Sequence, residues 1–435
     1  MTTTAVHPYI ESLLDGTREL PRTPHAWLNE RRGAALERAN ALSVPTTRDE
    51  EWRFTDLTPL TRLQLRPAAG ASDLAVGMMK THLVPEADAR LVFVDGTFAP
   101  ALSHIGEHGT GVLARPLNEA LKTDAKRLEP HLARLAGFEQ NVFVALNTAR
   151  LRDGAIVIIP KACACEKPVH VLYLATQPGT VAYPRCLVIA ETGAACTVIE
   201  EHVALSEDAY LTNAVTEIAV APNARVRHVK LQRESGAAFH IGTCAVDLAK
   251  NAAFESQTIT LGARLSRYDL SVALNGEGAH AQIDGLALIS ARQLADTHTL
   301  LDHAQPNGRS QQLHKTIVGG GAHAVFNGKI LVRPGAQLTD STQESRNLLL
   351  SDKAQVDTKP QLEIFADDVK CAHGATVGQL DPEQLFYLRS RGMPDAVARN
   401  LLTYAFGAAV IQRIPVPSVV AQLERAVMAQ TGMAA

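Results

Sequence analysis

A turn-forming residue followed by an alanine, and then by an alternating apolar run, recurs at Gly193-Ala194, Asn223-Ala224, Gly262-Ala263, Gly278-Ala279, Gly321-Ala322, Gly335-Ala336 and Lys353-Ala354. Gly and Asn enter left-handed backbone most readily, so such positions read as corners. A small residue behind the corner leaves room for the next layer of chain. The steps between copies are uneven, which excludes the strict periods of propellers and leucine-rich repeats. Variable corners with small inward residues suit a parallel β-helix, in which each rung buries its apolar face only by stacking on its neighbours. A twisted antiparallel sandwich remains open at this level.

The texture on either side differs. Near the start, Thr23 can cap a helix opening at Pro24 and carrying Trp27, Leu28 and Leu36. Leu117, Leu121, Leu128, Leu132 and Leu135 lie near helical spacing and predict one helix over 117–135. Between them, the apolar run Leu91–Val94 ends at Asp95-Gly96, a hairpin signal. Short strands begin at about Ala155 (155–159, 169–174 and 186–190). After Gly378 helices return: Asp381 caps and Pro382 opens one, a second follows Pro394, and a third follows Pro417. The predicted organisation is a mostly helical region over 1–150, a β-helix core over 151–378 and a helical region over 379–435.

With 435 residues and 46% hydrophobic content, the chain can bury a large core. A formal charge of −3 gives no electrostatic case for nucleic acid or an anionic membrane. Six irregularly spaced cysteines do not form a disulfide framework. The first ten residues lack a basic stretch leading into an apolar one, and no apolar run approaches the roughly 20 residues of a membrane span. A cytoplasmic protein is expected.

The chain lacks the phosphate-loop, zinc-protease, serine-hydrolase and C-x-x-C signatures. The glycine run at 319–321 has no following lysine and helix, so it reads as a corner. The pair Cys163/Cys165 could chelate a soft metal or merely edge a strand. Cys186, Cys196 and Cys244 sit in apolar runs and read as core. His298, His303, His314 and His323 each read as hydrogen-bonded or surface histidines. The segment Asp367–Gly378, D-D-V-K-C-A-H-G-A-T-V-G, places Cys371 two residues before His373, on one face of an extended strand. A thiolate beside an imidazole suits zinc, copper or iron–sulfur chemistry, yet two donors do not complete a site.

That segment, with D-P-E-Q-L-F-Y-L-R-S-R-G after it, resembles the C-terminal block of the SufB/SufD family of iron–sulfur cluster assembly scaffolds. Collinear matches stand at E-E-W-R-F-T-D-L (50–57), L-V-F-V-D-G-T-F (91–98), F-N-G-K-I-L-V-R-P-G (326–335), Q-E-S-R-N-L-L-L-S-D-K (343–353) and K-P-Q-L-E-I (359–364). The histidine at 373 is the residue carried by the SufD branch. The resemblance implies a mainly β fold, a right-handed parallel β-helix (β-solenoid) with α-rich ends. It also implies a non-catalytic scaffold subunit that pairs with a SufB-like subunit and binds the SufC ATPase through the C-terminal helices. His373, with Cys371, would contribute to a transient iron–sulfur cluster shared with SufB. Phe386, Tyr387, Arg389 and Arg391 offer an aromatic–basic surface for the ATPase, unless the two rings pack on the solenoid end. Alone, the chain could form a homodimer.

The competing reading is a stand-alone β-helix enzyme acting on polysaccharide, recruiting Arg264, Arg267, Asp269, Asp284 and Asp340 as acids and bases. Aromatic content of 5% and the lack of a secretion signal disfavour it.

Overall fold

The structure is a computed structural model and describes residues 8–17, 20–68, 70, 74, 76–105 and 111–430. The opening residues 1–7, scanned above for a targeting signal, lie outside that set.

From Ala155 onward the strands alternate between two sheets, and each pairs in parallel with the strand one full turn away. In one sheet Leu211 lies opposite Phe239, Phe239 opposite Leu265 and Leu265 opposite Leu294. In the other, Arg225 faces Ala253, Ala253 faces His280 and His280 faces Arg309. These registers make a β-solenoid and exclude the antiparallel sandwich. Near its start some pairings are antiparallel, among them Leu113–Pro116 with Ala155–Ile159 and the hairpin of Ala89–Val94 with Thr97–Phe98. That hairpin turns at Asp95-Gly96, both with positive φ, as its sequence signal requires.

Most copies of the alanine repeat are corners; at Gly262-Ala263 the alanine itself takes the positive φ. Ala194, Ala224, Ala252, Ala279 and Ala336 are buried in one column of the main core, where the chain passes from one sheet to the next. Ala322 and Ala354 occupy the opposite corner. Two corners share one local signal, which explains the uneven spacing read from sequence. At one of them Gly320 adopts φ +61 with its α-carbon against the Ala291 backbone, where any side chain would collide.

Helices cover the outer faces of both sheets. Val142–Ala149, capped by the Asn141 side chain, lays Phe143 against Val215, Phe239 and Ile241 of the first sheet. Asp395–Ile411 and Pro417–Gln430 press Val410, Ile411, Val419 and Leu423 onto Ile199, Val229, Leu231 and Ile317 of the second. Among the described residues no helix is long and apolar enough to cross a membrane.

Two helix expectations change. The first long helix is Ala26–Ala41: the Thr23 hydroxyl accepts the His25 amide, but His25 itself is extended and stands at the N-cap, so the helix opens two residues later than expected. The expected helix over 117–135 breaks into Leu117–Thr123 and Ala125–Leu128. Its last turns never form, because the buried Glu217 carboxylate accepts the amides of Ala133, Arg134, Leu135 and Ala136. The C-terminal helices open as expected: Asp381 caps Pro382–Ser390, its carboxylate accepting the Glu383 amide at 2.8 Å.

Candidate functional site

Both sheets end on the same rung. Gln355–Ile364 closes the first sheet and Lys370–Gly378 the second, and each pairs with a strand on one side only. The other edge of each presents unpaired backbone, beside the exposed apolar side chains of Ile364, Phe365 and Val377. Such an edge is a template for a further strand.

Cys371 and His373 lie on this final strand. Cys371 is in register with Ser341, and His373 with Gln343. Ser341, Gln343, Ser345 and Asn347 alternate with exposed residues and are buried, so this face lines the interior. Cys371 and His373 therefore share the inward face at the open mouth of the solenoid. Cys371 is half-buried against the main core, and His373 is exposed. Partial burial, reinforced by Asp340, pushes the Cys371 thiol up and favours its protonated form. Among the described residues no group of three or more His, Cys, Asp or Glu is arranged to hold a metal ion.

The lumen below the mouth is polar. His303 Nε2 lies 2.9 Å from Ser310 Oγ, which lies 2.6 Å from Ser341 Oγ, in the column that ends at Cys371. Deeper in, Glu200 sits 2.8 Å from His202 and 3.1 Å from His228, while Glu234 and Lys230 flank His240 at 2.7 and 3.0 Å. Burial pushes the Glu200 carboxyl up, but the two imidazoles outweigh it and hold it well below the usual range. Sequence reasoning missed this interior. Its signal was alternate polar residues on strands such as Asp340–Leu349, a pattern that ordinarily marks a solvent face.

The C-terminal group stands apart. In Pro382–Ser390 only Leu385 is buried, while Phe386 is 73% and Tyr387 57% exposed. The rings do not pack on the solenoid end. Arg391 lies over the Tyr387 ring at 5.2 Å, and Arg389 reaches Asp395 at 3.5 Å.

The profile of the SUF system FeS cluster assembly SufBD core domain matches residues 173–406, and that of the SufBD protein N-terminal region matches residues 4–171. The chain belongs to the SufB/SufD family of iron–sulfur cluster assembly proteins. An iron–sulfur cluster assembly SufBD family protein of Synechocystis is 38% identical over 93% of this chain and 91% of its own length. The iron–sulfur cluster assembly protein SufD of Escherichia coli is 35% identical over 87% of each chain. Its namesake in Bacillus subtilis is 26% identical over 92% of each.

Other residues singled out in this SufB/SufD family chain have structural partners. The run at 50–57 straps the solenoid flank: Arg267 stacks on Trp52 at 4.4 Å and donates to the Glu51 carbonyl at 2.8 Å. His298 bridges Asp296 and Glu51 at 3.1 and 3.2 Å. His323 pairs with Asp357, and His314 stacks on Phe326. Cys186, Cys196 and Cys244 are core, as their apolar runs imply. Cys165 also joins that core, its thiol donating to the Lys167 carbonyl at 3.0 Å. The acids and bases of the enzyme reading do not gather. Arg267 and Asp269 pair with each other on one sheet, Asp284 pairs with Arg413 under the C-terminal helices, and Asp340 belongs to the second sheet as well.

Proposed function

We propose that this chain is a non-catalytic scaffold subunit of a SufBCD-type complex, and that its open solenoid end pairs with a SufB-like subunit around a nascent iron–sulfur cluster. The observation that carries this is the last rung, where two strands have free edges and one of them holds Cys371 and His373 on its inward face. Two donors leave a cluster incomplete, so the remaining ligands come from the partner's matching end. Iron–sulfur clusters are ordinarily thiolate-held, and an imidazole is a ligand that protonates near neutral pH. A releasable ligand suits cargo that must be handed on. His373 is the primary ligand and Cys371 the secondary one, its thiol giving up a proton on binding iron.

The C-terminal helices supply the second contact. Phe386, Tyr387, Arg389 and Arg391 form an exposed aromatic–basic surface of the type enriched in interface anchors, and we assign it to the SufC-type ATPase. ATP hydrolysis belongs to that partner. In the partner's absence, the same open rung pairs two copies of this chain.

The test is anaerobic reconstitution with the SufB-like and ABC ATPase proteins of the same cell, following cluster build-up by visible absorption. His373→Ala is expected to abolish most of it while the three proteins still co-elute. Unimpaired build-up would reject the ligand role, and failure of the unsubstituted chain to associate with either protein would reject the scaffold role.

A further inference from the structure

Directly beneath His373 lie two stacked amides anchored across the lumen by a threonine hydroxyl. Gln312 Nε2 donates to Thr299 Oγ1 at 2.8 Å, and Gln343 Nε2 donates to Gln312 Oε1 at 2.9 Å. All three side chains are buried, and Gln312, Gln343 and His373 occupy one column of successive rungs. The Gln343 amide donates down the column, whereas the Gln312 amide donates across the lumen to Thr299 on the facing sheet, and the Gln312 carbonyl receives from Gln343 above and lies 3.2 Å from the Thr299 hydroxyl. At the top the series stops: Gln343 Oε1 is buried and has no hydrogen-bond partner among the described residues. An orphaned buried acceptor is costly, at about 1–3 kcal/mol. The room that Gln343 occupies is kept for it, since a β-carbon at Gly328 across the lumen would collide with its amide.

We propose that Gln343 is the positioning residue for His373, its carbonyl accepting the N–H of one ring nitrogen so that the other presents its lone pair at the solenoid mouth. Extending the Gln343-to-Gln312 link one rung further places the donor on residue 373, the position in register with Gln343. Histidines that bind metal ordinarily donate their second ring N–H to a carbonyl or carboxylate, which fixes both tautomer and ring orientation. Thr299 and Gln312 act at one remove, by holding the Gln343 amide in the orientation that exposes its oxygen. The inference rests on His373 being a cluster ligand, and it adds the group that aims it.

The deciding measurement is ¹⁵N NMR of the histidine rings in the isolated full-length chain, made at pH 8.5 and assigned with His373→Ala. The unsubstituted chain is expected to show His373 in one dominant tautomer. Gln343→Met, similar in length but with no carbonyl acceptor, is expected to give the mixed tautomers of a free imidazole. Gln343→Glu, which keeps an acceptor, is expected to restore the single form. Thr299→Val, remote from the mouth, is expected to loosen it partially and serves if Gln343→Met folds poorly. A His373 tautomer indifferent to both Gln343→Met and Thr299→Val overturns the proposal. In the reconstituted complex, Gln343→Met is expected to slow cluster build-up by about 10- to 100-fold. A lost tautomer preference with unchanged build-up overturns the positioning role. Unchanged build-up in His373→Ala instead removes the ligand reading beneath it, and leaves the proposed Gln343–His373 hydrogen bond to the tautomer measurement.

Discussion

The guanidinium of Arg185 donates to the carboxylate of Glu217 at 2.5 Å, with both side chains fully buried. Arg185 also holds Asn147 and Thr148 of the helix on the solenoid flank, at 3.0 and 3.2 Å. Glu217 in turn gathers the four amides of residues 133–136. One carboxylate thus ties the solenoid wall to two separate parts of the N-terminal layer.

Removing one partner of a buried ion pair typically costs about 3–5 kcal/mol, because the survivor stays buried and unpaired. Glu217→Ala is therefore expected to lower the urea midpoint sharply, with the N-terminal layer losing hydrogen-exchange protection first. Replacing both partners with leucine is not expected to restore it, since the four amides still lack an acceptor. Recovery in the double variant would show that the ion pair, and not the amide cradle, holds the layer.

Buried histidines make stability fall in acid. Burial, aided by Lys230, lowers His240 from 6.5 to about 4, and burial alone takes His314 to about 4. A folded pKa below the unfolded one favours the neutral form, so this stability is complete above pH 6.5 and drains away toward pH 4. Glu234 extends the loss: burial pushes its carboxyl up, but His240 and Thr212 prevail and hold it down to about 2. His298 runs the other way. Burial lowers it, but Asp296 and Glu51 outweigh that and raise it to about 9. Its contribution is complete below pH 6.5 and is lost as pH rises through 9. Thermal midpoints measured from pH 4 to pH 10 are expected to peak near 6.5. His298→Gln should flatten the alkaline limb and leave the acid limb in place. An alkaline limb unchanged in that variant would show that His298 does not set it.

The corners, and with them the solenoid, were legible because corner chemistry is local. A turn residue followed by a buried alanine marks a corner at most of its copies, without saying which corner. The Asp381 cap was legible for the same reason. Glu217 was not, since nothing near residue 217 announces that its carboxylate will stop a helix at residues 133–136. Nor was the polar floor of Ser341 and Gln343, because alternation fixes a strand's two faces without saying which is inside. The pairing of Cys371 with His373 on one face followed from strand periodicity. Their place at the solenoid mouth depended on which rung came last, a property of the whole stack.

Thiol accessibility reads that placement directly. Cys163 and Cys371 are partly exposed, and the other four cysteines are buried. Burial, with Cys165 and Asp340 respectively, pushes both accessible thiols above their usual range. Since the thiolate is the nucleophile, alkylation of the native chain should be slow at pH 7, accelerate with pH and stop at two sites by mass spectrometry. If a SufB-like subunit pairs with the open rung as proposed, adding it should protect Cys371 and spare Cys163. Equal protection of both, or of neither, would put the contact elsewhere.

The last expectation concerns the exposed aromatic pair. Phe386 and Tyr387 contribute little to the fold, as their exposure shows, so Phe386→Ala and Tyr387→Ala should leave the thermal midpoint nearly unchanged. As anchors of an interface, each would cost about 2 kcal/mol or more in binding, a loss of roughly 30-fold. Calorimetric titration with the ABC ATPase reads this loss, and His373→Ala serves as a control in the same chain that should bind normally. Because the tyrosine ring carries the Arg391 guanidinium at 5.2 Å, Arg391→Ala should weaken binding less than Tyr387→Ala. If both aromatic variants bind as tightly as the unsubstituted chain, Phe386 and Tyr387 are not anchors of an ATPase contact.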